Sequence, residues 1–442
     1  MSRGPGLPGT LRVLGHEMRR GEAGKVAALA VAAGVWYLAS ADPATGDWIG
    51  WWNQASIKVQ VYGVIVMGSL MSAAAAWSAG RAHRTGTRAW ADTTPRGGWP
   101  QALLLWGAAW LWSVAGYAVM AAVAFVRTAA VSEVTEPVWS PLVLAVAMTG
   151  LQIAAGVAAG TLLPSRIVAP AAGVFWYGAF VVLAFAPGLR VGRLLPAVDD
   201  HWDVTFRPAT LRLLVAAVWC AAAALALLAL PALVRRTVVG PGAVAAVPAV
   251  VALAAAGALL SFRAPDPDPF WATRAPQPAA PACVTEGRAT ACLWPADRHL
   301  LPQAGAAART VDRAVGGLPG FRLRFYETGL RPPQGAPTAE LPVYRPVVDR
   351  RTLTEAALDA ALPEPPRGCA PIEHAEAGGY PDLFLVQAVL RTRAGLPAPY
   401  YGEAFGAAVE RVTKAPAVEQ DRWLSGAARA VGACAPVPAL PR

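Results

Sequence analysis

Seven stretches of about 20 mostly apolar residues run through the first part of this sequence, at 24–41, 59–78, 101–126, 139–163, 167–188, 210–234 and 240–262. An α-helix needs roughly that length to cross a hydrocarbon core about 30 Å thick. Inside such a core every backbone N–H and C=O must find its partner within the protein, which a helix achieves by itself. The pattern therefore predicts an α-helical polytopic membrane protein of six to seven transmembrane helices. It excludes a single water-soluble globule. Two stretches hold the count open. The first is short and ends in Ala39-Ser40-Ala41, which resembles a signal-peptidase site, and the last is interrupted by Pro241, Gly242 and Pro248.

Charge divides the chain at the same place. Residues 1–262 hold 18 Lys/Arg against 10 Asp/Glu, a net +8, whereas residues 263–442 hold 20 against 18, a net +2. Basic residues flanking membrane helices concentrate on the cytoplasmic side. With the N-terminus inside, the inner segments 1–25, 79–100, 164–166 and 235–239 carry 12 of the 18 basic residues. The outer loops carry six: Lys58, Arg127, Arg190, Arg193, Arg207 and Arg212. An inner N-terminus followed by seven crossings places residues 263–442 outside a plasma membrane. Nucleic acid is not an expected partner, because the basic residues follow the membrane helices rather than one soluble face.

Cysteine usage agrees with that topology. Cys220 lies in an apolar stretch and reads as a small buried side chain, while Cys283, Cys292, Cys369 and Cys434 all fall in the last 180 residues. An even set in a compact domain reads as two disulfides formed in an oxidising compartment. Three pairings are possible, and Cys283–Cys292 with Cys369–Cys434 is the favoured one. Zinc would want C-x2-C-like spacing or paired histidines, which Cys283-x8-Cys292 does not supply.

The apolar stretches contain no ionisable residue in their middles, so a proton or cation relay at membrane depth is not expected. Gln152 is the most conspicuous polar residue there, and Gly156-x3-Gly160 follows it; both read as helix-packing features, a hydrogen-bonding glue and a small-residue notch. No G-x4-G-K-[ST] loop, H-E-x-x-H helix or G-x-S-x-G elbow occurs. The five histidines are scattered singly. No enzyme activity, catalytic residue, metal or cofactor is predicted, and any energy for transport must come from a partner.

The longest inner loop, 79–100, reads AGRAHRTGTRAWADTTPRGGWP. Arg81, Arg84 and Arg88 recur at helical spacing, Trp77 and Trp90 bracket them, and Thr94-Pro95-Arg96 ends the helix. This describes a short basic amphipathic helix on the inner surface, suited either to anionic lipid or to a cytoplasmic partner. Here the chain resembles the ABC-2 type export permeases, over roughly residues 10–236. Their corresponding loop follows a pattern like E-x-x-x-G-T-x-x-x-L-x-x-[ST]-P-x-[SR], matched by Gly86, Thr87, Thr94, Pro95 and Arg96. The family's acidic residue is absent, with Arg81, His83 and Arg84 in its place. The resemblance implies a permease subunit that docks a separate cytoplasmic ABC ATPase through this loop and pairs with itself or a second permease. Members usually stop after six spans. This chain continues, and looks like divergent actinobacterial permease-like proteins with an extracytoplasmic C-terminal domain. A membrane-anchored binding or sensory protein acting through that domain is the alternative.

Six prolines between 265 and 281 predict an extended linker over 263–282, followed by a mixed, mainly helical domain over 283–442. Helices are expected at 303–315, 354–362 (capped by Thr352 or Thr354), 383–393, 401–413 and 418–431, with strands at 321–326 and 341–344. Glu373-His374-x-Glu376 suggests a metal ligand set but lacks further ligands at suitable spacing. Tyr400 and Tyr401 could line a groove or pack a turn.

Overall fold

The computed structural model describes residues 7–41, 48–87, 98–132, 137–163, 165–185, 189–197, 206–234, 241–262, 273–274, 277–315, 317–333, 335, 337–343, 349–366, 369, 382–399 and 401–441. The chain divides into two compact units, one made of most of Met1–Arg274 and one dominated by Ala275–Arg442.

The first unit is a helical bundle. Its helices are α1 Leu7–Arg20, α2 Glu22–Ser40, α3 Trp52–Ala79, α4 Arg81–Arg84, α5 Gly98–Ala129, α6 Ser140–Leu162, α7 Val168–Ala184, α8 Thr210–Val234 and α9 Pro241–Ser261. Five of them (α2, α3, α5, α6 and α8) are long and apolar enough to cross a membrane. The expected spans at 167–188 and 240–262 form shorter apolar helices in their described parts, Val168–Leu183 and Ala245–Ser261. Helix α6 is central and packs on α3 and α8. That position follows from its composition: Ala, Gly, Ser and Thr let neighbouring backbones approach closely, and packing rather than water exclusion drives association in lipid.

Helix α3 starts at Trp52, seven residues before the expected span, so Lys58 belongs to a helix and not to an outer loop. The polar residues that hid this start, Gln54, Ser56 and Gln60, are buried within the bundle. Midway, Gly63–Met67 form a π-turn. Arginines close two helix C-termini from across the bundle. Arg127 donates to the Leu38 carbonyl at 2.8 Å and the Ala41 carbonyl at 2.6 Å, and Arg193 donates to the Phe262 carbonyl at 2.6 Å. Each satisfies acceptors that a helix end leaves free. Within the linker, Thr273–Arg274 form a short extended strand, β2, that pairs antiparallel with β1, Phe206–Arg207.

The second unit is a four-stranded sheet of order β3-β4-β5-β6 covered by helices. Strands β3 Ala282–Glu286 and β4 Ala289–Leu293 form a hairpin, and β5 Arg324–Glu327 and β6 Ala339–Leu341 add in parallel. The helices are α10 Leu301–Val315, α11 Arg350–Ala361, α12 Asp382–Arg393, α13 Glu403–Lys414 and α14 Ala417–Ala433. Their inner faces bury Val311, Leu353, Val386, Phe405 and Leu424 around Phe325 of β5. Helix α11 begins four residues earlier than expected, and its cap is Asp349, which accepts from the Thr352 N–H at 2.7 Å. Thr354 instead turns inward and donates to the Arg350 carbonyl. Tyr401 packs a turn, with its ring against Phe384 and Phe405.

Cys283 and Cys292 face each other in the β3–β4 register and are bridged, and Cys369 is bridged to Cys434. Cys220 is buried and outside both bridges.

Candidate functional site

The residues singled out in the first unit fall at two places along α3. One is its end, where the chain enters the loop; the other is its middle, where α6 crosses it.

At the end, Gly80 leads into α4, a single helical turn rather than a longer amphipathic helix among the described residues. The Arg84 guanidinium lies 3.7 Å from the centre of the Trp77 ring, a cation–π contact that holds the charge at the bundle surface. Partial desolvation, and then the positive charges of Arg81 and Arg166, hold the Arg84 guanidinium below its ordinary pKa. Arg81 and Arg84 of α4 and Arg166 of the connection between α6 and α7 therefore share one electropositive patch. Arg81 reaches Glu17 of α1 at 3.8 Å with half of its side chain exposed, so that ion pair is weak. His83 donates from Nε2 to the Thr161 carbonyl at 3.2 Å, tying the turn to the C-terminus of α6. Gly86 then reverses the chain at φ 69°, a left-handed conformation that glycine adopts without the penalty a Cβ brings. The Thr85 and Thr87 hydroxyls bond each other at 2.8 Å beside it. Arg88, Thr94, Pro95 and Arg96 lie outside the described residues, as do Trp90, Glu373, His374, Glu376 and Tyr400.

In the middle, Gln152 donates from Nε2 to the Val64 carbonyl in the π-turn at 3.0 Å. A Cβ on Gly68 would stand 1.9 Å from the Gln152 Oε1, so glycine is what admits the side chain. One turn away, the Tyr117 hydroxyl and Thr149 bond each other at 2.8 Å. Below them α6 lies directly on the α3 backbone. A Cβ on Gly156 would come within 2.2 Å of the Ser72 carbonyl, and one on Gly160 within 2.2 Å of the Ala76 carbonyl. The Gly-x3-Gly spacing thus sets how closely α6 approaches the half of α3 that ends at the arginine patch. No periodicity in the sequence marks the π-turn; the one available signal was the pairing of Gly63 and Gly68 around an apolar run.

Among the described residues no group of His, Cys, Asp and Glu could hold a metal ion. Compared with family models, curated proteins and solved structures, the chain matches none of them.

Proposed function

We propose that the chain is the permease subunit of an ABC-type exporter, forming the translocation path and docking a separate cytoplasmic ATPase at the arginine patch. The observation that carries this reading is the gathering of Arg81, Arg84 and Arg166 at the end of α3. This is where the resemblance to ABC-2 permeases puts the loop that contacts the ATPase. The patch is continuous, through Gly160 and Gly156, with the close crossing of α6 on the α3 backbone, so a push on the loop would move α3 and α6 together. In the same reading all seven apolar helices cross, α1 lies on the inner membrane surface, and the disulfide-bridged unit sits outside the plasma membrane. The bilayer is the lipid partner, and a second copy or a second permease completes the path.

Affinity capture of the tagged chain from detergent tests the docking. An ABC ATPase should be recovered with it, and the double variant Arg81→Glu, Arg84→Glu should lose that ATPase while keeping its expression level. Undiminished recovery with the double variant would remove the patch from the interface. Topology has its own test: a membrane-impermeant thiol reagent on intact cells should label the chain only after reduction. A binding or sensory role for the second unit is favoured by one observation, a largely apolar cleft on that unit that also presents Arg322, Asp359 and Arg391.

A further inference from the structure

Helix α2 runs out into Ala39-Ser40-Ala41, a small-x-small triplet of the kind a signal peptidase reads before the bond it cuts. The bond concerned joins Ala41 to Asp42. A protease of this kind takes its substrate as an extended strand, whose main chain pairs with the enzyme while alternate side chains enter its pockets. In a strand residues two apart share a face, whereas in a helix they stand about 200° apart. Here α2 stays helical through Ser40, so the triplet is not in the form a peptidase binds. Its backbone is also occupied. Arg127, in the last turn of α5, donates from Nη1 to the Leu38 carbonyl at 2.8 Å and to the Ala39 carbonyl, and from Nη2 to the Ala41 carbonyl at 2.6 Å. Hydrogen bonds from a charged donor are roughly twice as strong as neutral ones, and a cation at a helix C-terminus meets the negative end of the dipole. Packing holds the turns before it. Leu38 is fully buried, a Cβ on Gly34 would stand 2.5 Å from the Met120 sulfur, and the Tyr62 hydroxyl donates to the Ala30 carbonyl at 2.8 Å. Ala39 and Ser40 themselves are exposed. The triplet is therefore protected by its conformation and not by a cover.

We propose that Ala39-Ser40-Ala41 is a latent processing site for a signal peptidase, held closed by Arg127, and that this clamp keeps α2 in the finished chain. Cleavage would add water across the Ala41–Asp42 peptide bond, leaving a carboxylate on Ala41 and a free amine on Asp42, and would detach α1 and α2. Reaching that bond requires the last turn of α2 to unwind, which gives up its own hydrogen bonds together with the three from Arg127. Arg127 belongs to a helix that packs on α2, so the clamp forms as α5 takes its place in the bundle. Which face meets the peptidase follows from the N-inside reading above, which puts the end of α2 outside the membrane. The arginine patch is not involved.

Expression of the full chain in a bacterial membrane, followed by intact-mass measurement and N-terminal sequencing, tests the clamp. The native chain should retain α1 and α2. Arg127→Ala should lose them and begin at Asp42. Adding Ala39→Leu to that variant should restore the full-length chain, because a leucine does not fit a pocket for small residues. Arg193→Ala, which removes the comparable contact to the Phe262 carbonyl, should leave the N-terminus unchanged, so general loosening of the bundle is told apart from loss of this clamp. Should Arg127→Ala fail to accumulate, Arg127→Lys takes its place with partial cleavage at Asp42 expected, since an ammonium is a point charge where the guanidinium presents a fork. A native chain that already begins at Asp42 overturns the proposal. So does an uncleaved Arg127 variant, cleavage at another bond, cleavage at Asp42 that persists with Ala39→Leu, or cleavage of Arg193→Ala. Thiol labelling of the same cells keeps topology separate: cysteines labelled from outside after reduction, beside an uncleaved Arg127→Ala, would sink the clamp and leave the N-inside reading standing.

Discussion

Asp349 carries an energetic role that its position in the sequence did not announce. Its carboxylate accepts from the Thr352 N–H at 2.7 Å and starts α11, and that hydrogen bond is the main reason its pKa lies below the ordinary carboxylate value. Asp349→Ala should cost about 1 kcal/mol, typical of a lost N-cap, read as a lower denaturation midpoint at pH 7. Because the folded pKa is depressed, the stabilisation is fully present above the unfolded value near 3.9. It is lost as pH falls through the folded value. The gap between native and variant midpoints should therefore narrow below about pH 4. Two threonines were the expected caps because Thr caps helices in general, but the residue that wins is the one in an extended conformation just before the first turn. In the bundle, Gln152→Leu removes the hydrogen bond to the Val64 carbonyl. Membrane hydrogen bonds average about 0.6 kcal/mol, so the loss in thermal stability in detergent should be of that order. Gln152→Ala should lose more, because it also leaves a void.

Helix α3 is the element on which the helical bundle turns. It runs through a π-turn, presents Gly68 to Gln152, offers its backbone to Gly156 and Gly160, and ends at the arginine patch. π-turns are rare and occur often at functional sites. The crossing with α6 is the most sensitive part, since backbone carbonyls cannot move aside as flexible side chains can. Gly156→Leu should cost at least about 3 kcal/mol, the upper end of ordinary overpacking. It should appear as lowered melting temperature and aggregation in detergent, whereas Gly178→Leu, where a Cβ meets nothing within 4 Å, should be tolerated. Most long helices were legible because an apolar run of their length has few other uses. Residues 52–58 were not, because Gln54 and Lys58 look like loop residues until the bundle that buries Gln54 is known.

Across the whole molecule the two disulfides differ in what they constrain. Cys283–Cys292 spans a separation of 9 residues within a hairpin, while Cys369–Cys434 spans 65. In the chain-entropy account a bridge stabilises by the loop it closes in the unfolded chain, giving about 2.5 kcal/mol for the short loop and about 4 kcal/mol for the long one. Replacing Cys369 and Cys434 together by Ser should therefore lower a urea midpoint more than replacing Cys283 and Cys292. The pairing was readable as one of three. The hairpin that makes the short bridge was missed, since Val284 and Thr285 alone do not reveal a strand without its partner across the turn.

By itself the sequence determined the long apolar helices, a change of composition near residue 262 and the presence of two bridges, while the structure divides its two units after Arg274. All of these follow from local composition: apolar length, charge density and cysteine parity are properties of a segment, whatever it packs against. The tertiary structure alone decided the π-turn under Gln152, the meeting of Arg81 and Arg84 with Arg166, and the cleft that joins Arg322 to Asp359 and Arg391. These juxtapositions join residues far apart in the chain, and their distances depend on which backbones can approach each other. That is why Gly156 and Gly160 could be named from the sequence, while the carbonyls they rest on could not.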